Sequence, residues 1–155
     1  MTTRRTATAV WFAFVVVSFL AAVPGAFFAP GEWYAGLERP FFAPPSWVFG
    51  PVWTLLYLVI GTSGWLVWHR RGWRTPALAW WAAQWLLNAA WTPLFFGAQL
   101  LGPALLEMTA LWVAIAGTIS ASRRDSPTAA ALLVPYLVWV SFAWALNFGF
   151  WWLNR

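Results

Sequence analysis

The chain has 155 residues, 62% of them hydrophobic and 8% charged, with a mean hydropathy of +0.66. A water-soluble domain of this size keeps about a quarter of its residues charged, so a soluble fold is excluded and most of this surface faces lipid. The net charge of +5 rests on arginines scattered in short breaks between apolar runs, which excludes a single nucleic-acid patch; with no cysteine, no disulfide or thiolate-held metal is available.

The fold class that follows is an all-α integral membrane bundle of five transmembrane helices. Residues 1–6 are a short polar tail with Arg4 and Arg5. Residues 7–28 form an uncharged run of about the 20 residues that a bilayer span needs, interrupted late by Pro24-Gly25. A cleaved signal peptide is the alternative, given the small residues Ala21, Ala22 and Ala26, but the run is long for a signal core. Residues 29–45 are a loop, because Pro40, Pro44 and Pro45 fix φ, remove donors and push their predecessors into extended geometry. The second span, 46–68, is uncharged, and Trp47, Gly50, Trp53, Thr54 and Tyr57 recur at the three- and four-residue spacing of one helical face. An aromatic loop feeding such a helix predicts the lid and one wall of a pocket for a flat apolar ligand.

Gly61 and Gly64 in this span admit close approach of another helix. His69, Arg70, Arg71 and Arg74 form a basic turn, where His69 reads as an interfacial side chain rather than a haem ligand, since no second ligand is nearby. The third span is 76–96, kinked or ended by Thr92-Pro93. After a tight connection, Pro103 suits the first turn of the fourth span, 103–122. Residues 123–127 turn the chain again, and 128–153 is the fifth span. With no linker, low-complexity segment or internal repeat, residues 1–155 are one domain. Arg4, Arg5, Arg70, Arg71, Arg74, Arg123 and Arg124 then share one side against Arg39 and Arg155. This predicts a cytoplasmic N-terminus, with the loop and C-terminus outside, in a plasma or inner membrane.

Several polar residues lie inside the spans. Gln84 and Asn88 are one turn apart with Trp91 on the same face; an unpartnered amide in hydrocarbon costs several kcal/mol, so both face the interior as interhelical glue, ligand contacts or both. Tyr136, Trp139, Ala143 and Asn147 share a face of the fifth span, with a gap at Ala143. That face converges with Asn88 and Trp53 near the loop, as a pocket or as a packed aromatic core. Glu107 is the one acid inside a span, either a proton-coupling carboxylate or an interfacial anion near its helix N-terminus. Of 16 tryptophans, Trp11, Trp33, Trp65, Trp68, Trp73, Trp80, Trp81, Trp151 and Trp152 read as an interfacial belt, whereas Trp47, Trp53, Trp91 and Trp139 read as interior.

Taken together, these residues resemble the translocator protein family, also called the tryptophan-rich sensory protein or peripheral benzodiazepine receptor family. The resemblance runs through Trp33-Tyr34-Ala35-Gly36-Leu37, Arg39-Pro40, Pro44-Pro45, Trp47-Val48-Phe49-Gly50-Pro51-Val52-Trp53, Leu56-Tyr57 and Gln84 with Asn88. It continues through Trp91 with Pro93, Phe95-Phe96-Gly97, Val134-Pro135-Tyr136-Leu137-Val138-Trp139 and Leu146-Asn147. It implies a five-helix bundle, commonly a homodimer, that binds porphyrins, sterols and synthetic isoquinoline or benzodiazepine ligands in a cavity under the first loop. Carried over by position, Trp53 and Trp139 resemble pocket tryptophans, Phe49, Gly50, Asn88, Ala143 and Leu146 resemble lining positions, and Trp33 and Tyr34 resemble the loop cover. The faces described above add Tyr57, Trp91 and Asn147. Two positions depart from the animal members: Phe148 replaces the tyrosine of a cholesterol motif whose basic end is matched only by Arg155, and Pro103 replaces a tryptophan.

The resemblance implies a receptor for protoporphyrin IX or haem, with no cofactor required and no metal site, and with Arg39 meeting a propionate. An enzymatic alternative, also implied by bacterial members, is light- and oxygen-dependent porphyrin degradation with Trp53 and Trp139 as electron or radical partners. A small-molecule or sterol transporter is the third reading. Ala79 and Ala83 form a small-residue pair suited to close packing in a homodimer.

Overall fold

The computed structural model describes residues 4–155, and every regular element among them is helical. The first three residues of the expected polar tail lie outside the described ones, and the chain is already helical at Arg4. Helix α1 (Arg4–Leu20) breaks at Ala21-Ala22, and α2 (Val23–Phe27) restarts with Pro24 in its first turn, where a missing N–H costs nothing. The loop contains a short helix, α3 (Glu32–Ala35), and ends in a 3₁₀ turn, Ser46–Val48, that leads into α4 (Phe49–Arg71). Gly72 terminates α4 at φ 74°, a left-handed conformation that a side chain would strain.

Thr75 caps α5 (Pro76–Thr92), its Oγ1 accepting from the Leu78 N–H at 3.1 Å. The expected disturbance at Thr92-Pro93 takes the form of a π-helical turn, Pro93–Gly97, closed by the Ala98 N–H donating to the Pro93 carbonyl at 2.7 Å. Helix α6 is Leu101–Ser122. The expected last span is two helices, α7 (Pro127–Leu132) and α8 (Val134–Leu153): Pro135 has no N–H to continue the ladder, so the chain makes a turn at Leu133.

Among the described residues, four segments are long and apolar enough to cross a membrane: Thr6–Phe27, Ser46–Arg71, Leu101–Ser122 and Pro127–Leu153. The expected third span contains α5, which has 17 residues and is not one of the four. Large apolar side chains on the outside, such as Phe12, Leu86, Leu106 and Val138, are more than half exposed. Such a surface suits hydrocarbon rather than water.

Glycines set how closely the helices approach. A Cβ on Gly61 would lie 2.6 Å from Val15 Cα, and one on Gly64 would meet the Trp81 ring at 2.7 Å. Trp81 therefore leaves the expected interfacial belt: it is buried and donates its indole N–H to the Ile60 carbonyl at 2.9 Å. Trp47 departs the other way, 74% exposed on the 3₁₀ turn rather than interior, because that turn rotates it off the Trp53 face. His69 is exposed and stacks on Trp65 at 5.2 Å, in keeping with an interfacial side chain. At the same end, an ion pair from Arg71 to Asp125 ties α4 to the 123–126 turn.

Candidate functional site

At the end of the bundle opposite the N-terminus lies a cavity of about 590 Å³. Helical periodicity builds its walls. Phe49, Trp53 and Tyr57 follow one another at four-residue steps on α4, and Trp139, Ala143, Leu146, Asn147 and Phe150 form one face of α8. Asn88, Trp91 and Thr92 come from α5, and Met108 and Leu111 from α6. Phe28, Pro30, Tyr34 and Ser46 close the loop side. Of the residues singled out in the sequence, the structure brings together Tyr34, Phe49, Gly50, Trp53, Tyr57, Asn88, Trp91, Trp139, Ala143, Leu146 and Asn147 on this wall. Trp33 is the exception: it packs edge-on against Phe95 at 6.0 Å and backs the lid instead of lining the cavity.

The deep end is polar and internally bonded. The Tyr57 hydroxyl donates to Asn88 Oδ1 at 3.1 Å, Asn88 Nδ2 donates to the Tyr136 hydroxyl at 3.0 Å, and that hydroxyl donates to Gln84 Oε1 at 2.9 Å. Asn147 bridges two further helices, accepting from the Trp91 indole at 3.1 Å and donating to the Leu101 carbonyl at 2.9 Å. The amides are thus interhelical glue, and Asn88 and Asn147 reach the cavity wall while already engaged with the protein. Two donors are left over, Gln84 Nε2 and Trp139 Nε1, each buried without a partner among the described residues; the Trp139 ring lies 5.7 Å from Phe49 and 5.5 Å from Phe142. Trp53 stacks on Tyr57 at 5.3 Å.

The lid is fastened to the end of α8. Asn154 accepts from the Glu38 N–H at 2.9 Å and donates back to the Glu38 carbonyl at 3.0 Å. Pro40 packs so closely on Gly149 that a Cβ there would sit 2.6 Å from its ring. Tyr34 turns its ring toward Phe96 and Phe150, at 5.3 and 5.4 Å, and Arg39 stacks over it at 5.0 Å. Burial pushes the Tyr34 phenol above its ordinary value, with the nearby guanidinium opposing, so the ring meets the cavity uncharged.

The expectation for Glu107 as a water-reaching interfacial anion is not met: both carboxyl oxygens are buried without a partner among the described residues. It lies outside the cavity lining, next to Met108. The lining residues that sequence reading missed include Phe28, Phe95, Phe96, Met108, Leu111 and Phe150. Phe95 continues the Trp91 register by one turn and Phe150 that of Leu146, a signal that was available. Phe96 joins them because the wider π turn alters the register of side chains after Pro93.

A sequence profile described as the TspO/MBR family matches residues 11–153, nearly the whole chain. The chain belongs to the TspO/MBR family. Among its relatives, the human "Translocator protein" is 41% identical over 145 residues, covering 89% of this chain and 86% of the relative. The "Tryptophan-rich protein TspO" of Archaeoglobus fulgidus is 42% identical, with 90% and 96% covered. The "Tryptophan-rich sensory protein" of Cereibacter sphaeroides is 37% identical, with 90% and 88% covered. Family membership and four apolar helices together make this TspO/MBR chain an integral membrane protein.

Proposed function

We propose that this protein is a membrane receptor for flat, apolar tetrapyrroles, with protoporphyrin IX or haem as the ligand class. One observation carries the reading: Phe49, Trp53, Trp91 and Trp139 border a single cavity of about 590 Å³, and the Trp139 indole N–H, buried in its wall, has no partner among the described residues. Small-molecule sites span roughly 300–1,000 Å³ and combine apolar walls with few polar groups. Aromatic faces give a planar macrocycle extensive contact, and an unpartnered buried donor favours a ligand that brings an acceptor to it. Arg39, stacked on Tyr34, supports contact with an acidic side group of the ligand at the mouth.

The same reading includes five spans, with α5 and its π-helical continuation to Gly97 as the third. The excess of arginines at the N-terminal end supports a cytoplasmic N-terminus and an outward-facing lid in a plasma or inner membrane. A homodimer through the small-residue pair Ala79 and Ala83 on α5 completes it.

Absorbance and fluorescence titration of the purified protein with protoporphyrin IX in the dark tests the reading. Saturable binding is expected, and its absence would remove the receptor assignment while leaving the fold intact. A second reading, light-driven oxidation of the bound porphyrin by oxygen, is favoured by two indoles, Trp53 and Trp139, bordering one cavity. Illumination of the same complex distinguishes them: a protein-dependent product lost in a Trp53→Phe/Trp139→Phe double variant supports photochemistry, and an unchanged spectrum supports binding alone.

A further inference from the structure

The lid carries its most exposed aromatic at a tip. Residues 40–43 form a turn closed by the Ala43 N–H donating to the Pro40 carbonyl at 3.0 Å, with Phe41 and Phe42 at its two central positions. Pro40 is buried against Gly149, and Phe42 packs edge-on to Phe142 at 6.3 Å, so the turn lies along the side of α8. Phe41 stands edge-on to the Phe42 ring at 5.4 Å, and its own side chain is wholly exposed.

The place of the turn along α8 sets its depth. Gly149 lies one helical turn before the end of α8 at Leu153 and Phe142 lies three, about 6 and 16 Å along the axis. Trp151, Trp152 and Arg155 mark the polar boundary at this end, the Arg155 guanidinium stacking over the Trp152 ring at 3.3 Å. The turn therefore sits on the apolar side of that boundary. The charges of the lid, Glu32, Glu38 and Arg39, all precede it, and no charged residue follows until Arg70. Its backbone suits the same zone, where an unmet N–H is costly. Pro40, Pro44 and Pro45 have no N–H and that of Ala43 is bonded, so at most the N–H groups of Phe41 and Phe42 are left for the headgroups to satisfy.

We propose that this turn anchors the lid in the membrane, with the Phe41 ring inserted among the acyl chains of the leaflet on the lid side, just below the headgroups. Trp47, 74% exposed beyond Pro44-Pro45, adds a second aromatic at the headgroup boundary. An apolar ring leaves hydrocarbon for water at a cost whenever the lid lifts, so the bilayer adds to the Asn154 clasp in keeping the cavity covered. The proposed dimer pair, Ala79 and Ala83, lies in the first half of α5 at the other end of the bundle, so the tip is clear of that contact.

The chain has no cysteine, so a single spin label can be placed on the full protein in phospholipid nanodiscs. A nitroxide on a Phe41→Cys variant should collide with oxygen several-fold more than with a water-soluble nickel chelate, and one on a Glu38→Cys variant should show the reverse. Equal access of the chelate to both positions would put the tip in water and overturn the proposal. Spin–spin broadening between copies at position 41 would give the tip to a second chain and overturn it too. Hydrogen exchange of residues 36–43 reads lid closure: Phe41→Asp should speed it several-fold in nanodiscs, and Phe41→Leu should leave it unchanged. Exchange in the Phe41→Asp variant equal to that of the unmodified protein, or equal acceleration by both variants, would remove the anchor.

Discussion

Asn88 joins three helices through its one side chain. It accepts from Tyr57 on α4 and donates to Tyr136 on α8, so removing the amide takes a partner from two buried tyrosines at once. Asn88→Leu should therefore destabilise the protein by about 1–3 kcal/mol, read as a lowered thermal midpoint in detergent. Tyr57→Phe, which leaves the Tyr136 bond intact, should cost less; equal losses would mean that the network is not organised through Asn88. Trp139 makes the complementary case, a buried donor with no bond to lose among the described residues. Trp139→Phe keeps the aromatic face and removes the N–H, so dark affinity for protoporphyrin IX should fall by about fivefold to tenfold, the effect of roughly one hydrogen bond. Unchanged affinity by calorimetric titration would detach that indole from ligand recognition.

At the scale of elements, prolines decide where helices restart and glycines decide where they touch. The break at Leu133, two residues before Pro135, interrupts what reads as one continuous span, whereas the disturbances near Pro24 and at Pro93 were legible in the sequence. Their geometry was not: a proline removes a hydrogen bond, but whether the backbone answers with a π turn or a second helix depends on what packs behind it. The 29–45 loop illustrates the same division. Its prolines exclude a long helix, yet its closure depends on Asn154 and Gly149, more than a hundred residues away. Gly149→Val would drive a branched side chain into Pro40 and should release the lid. Faster proteolysis between residues 36 and 45 and faster ligand dissociation are expected; protection equal to that of the unmodified protein would show that the Asn154 clasp suffices.

Across the whole molecule, chemistry is divided between the two ends. The lid end gathers aromatics over a cavity, and the other end gathers arginines around the basic turns. Along the sides, leucines, valines and phenylalanines are exposed, a surface that suits hydrocarbon. Ala83→Phe should disrupt a detergent-stable homodimer if α5 forms the contact, seen as a shift to monomer mass in light scattering; a retained dimer would move the interface to another helix.

Composition alone required a membrane protein, because so few charges cannot cover a water-facing surface. Helical periodicity put Gly50, Trp53 and Tyr57, Asn88 and Trp91, and Trp139, Ala143 and Asn147 on shared helical faces, since three- and four-residue steps are local properties of the chain, whereas Tyr34, Phe49 and Leu146 came from the family resemblance. Only tertiary structure decided which of those side chains face open space. Trp81 and Trp47 exchange their expected roles because burial depends on a neighbouring helix and on the rotation of a 3₁₀ turn. Trp33 packs edge-on against Phe95 instead of lining the cavity, while Asn88 is engaged and the Trp139 indole has no partner among the described residues, because hydrogen-bond partners lie on other helices. A sequence specifies which groups need partners, but only the packed helices determine which partners come within reach.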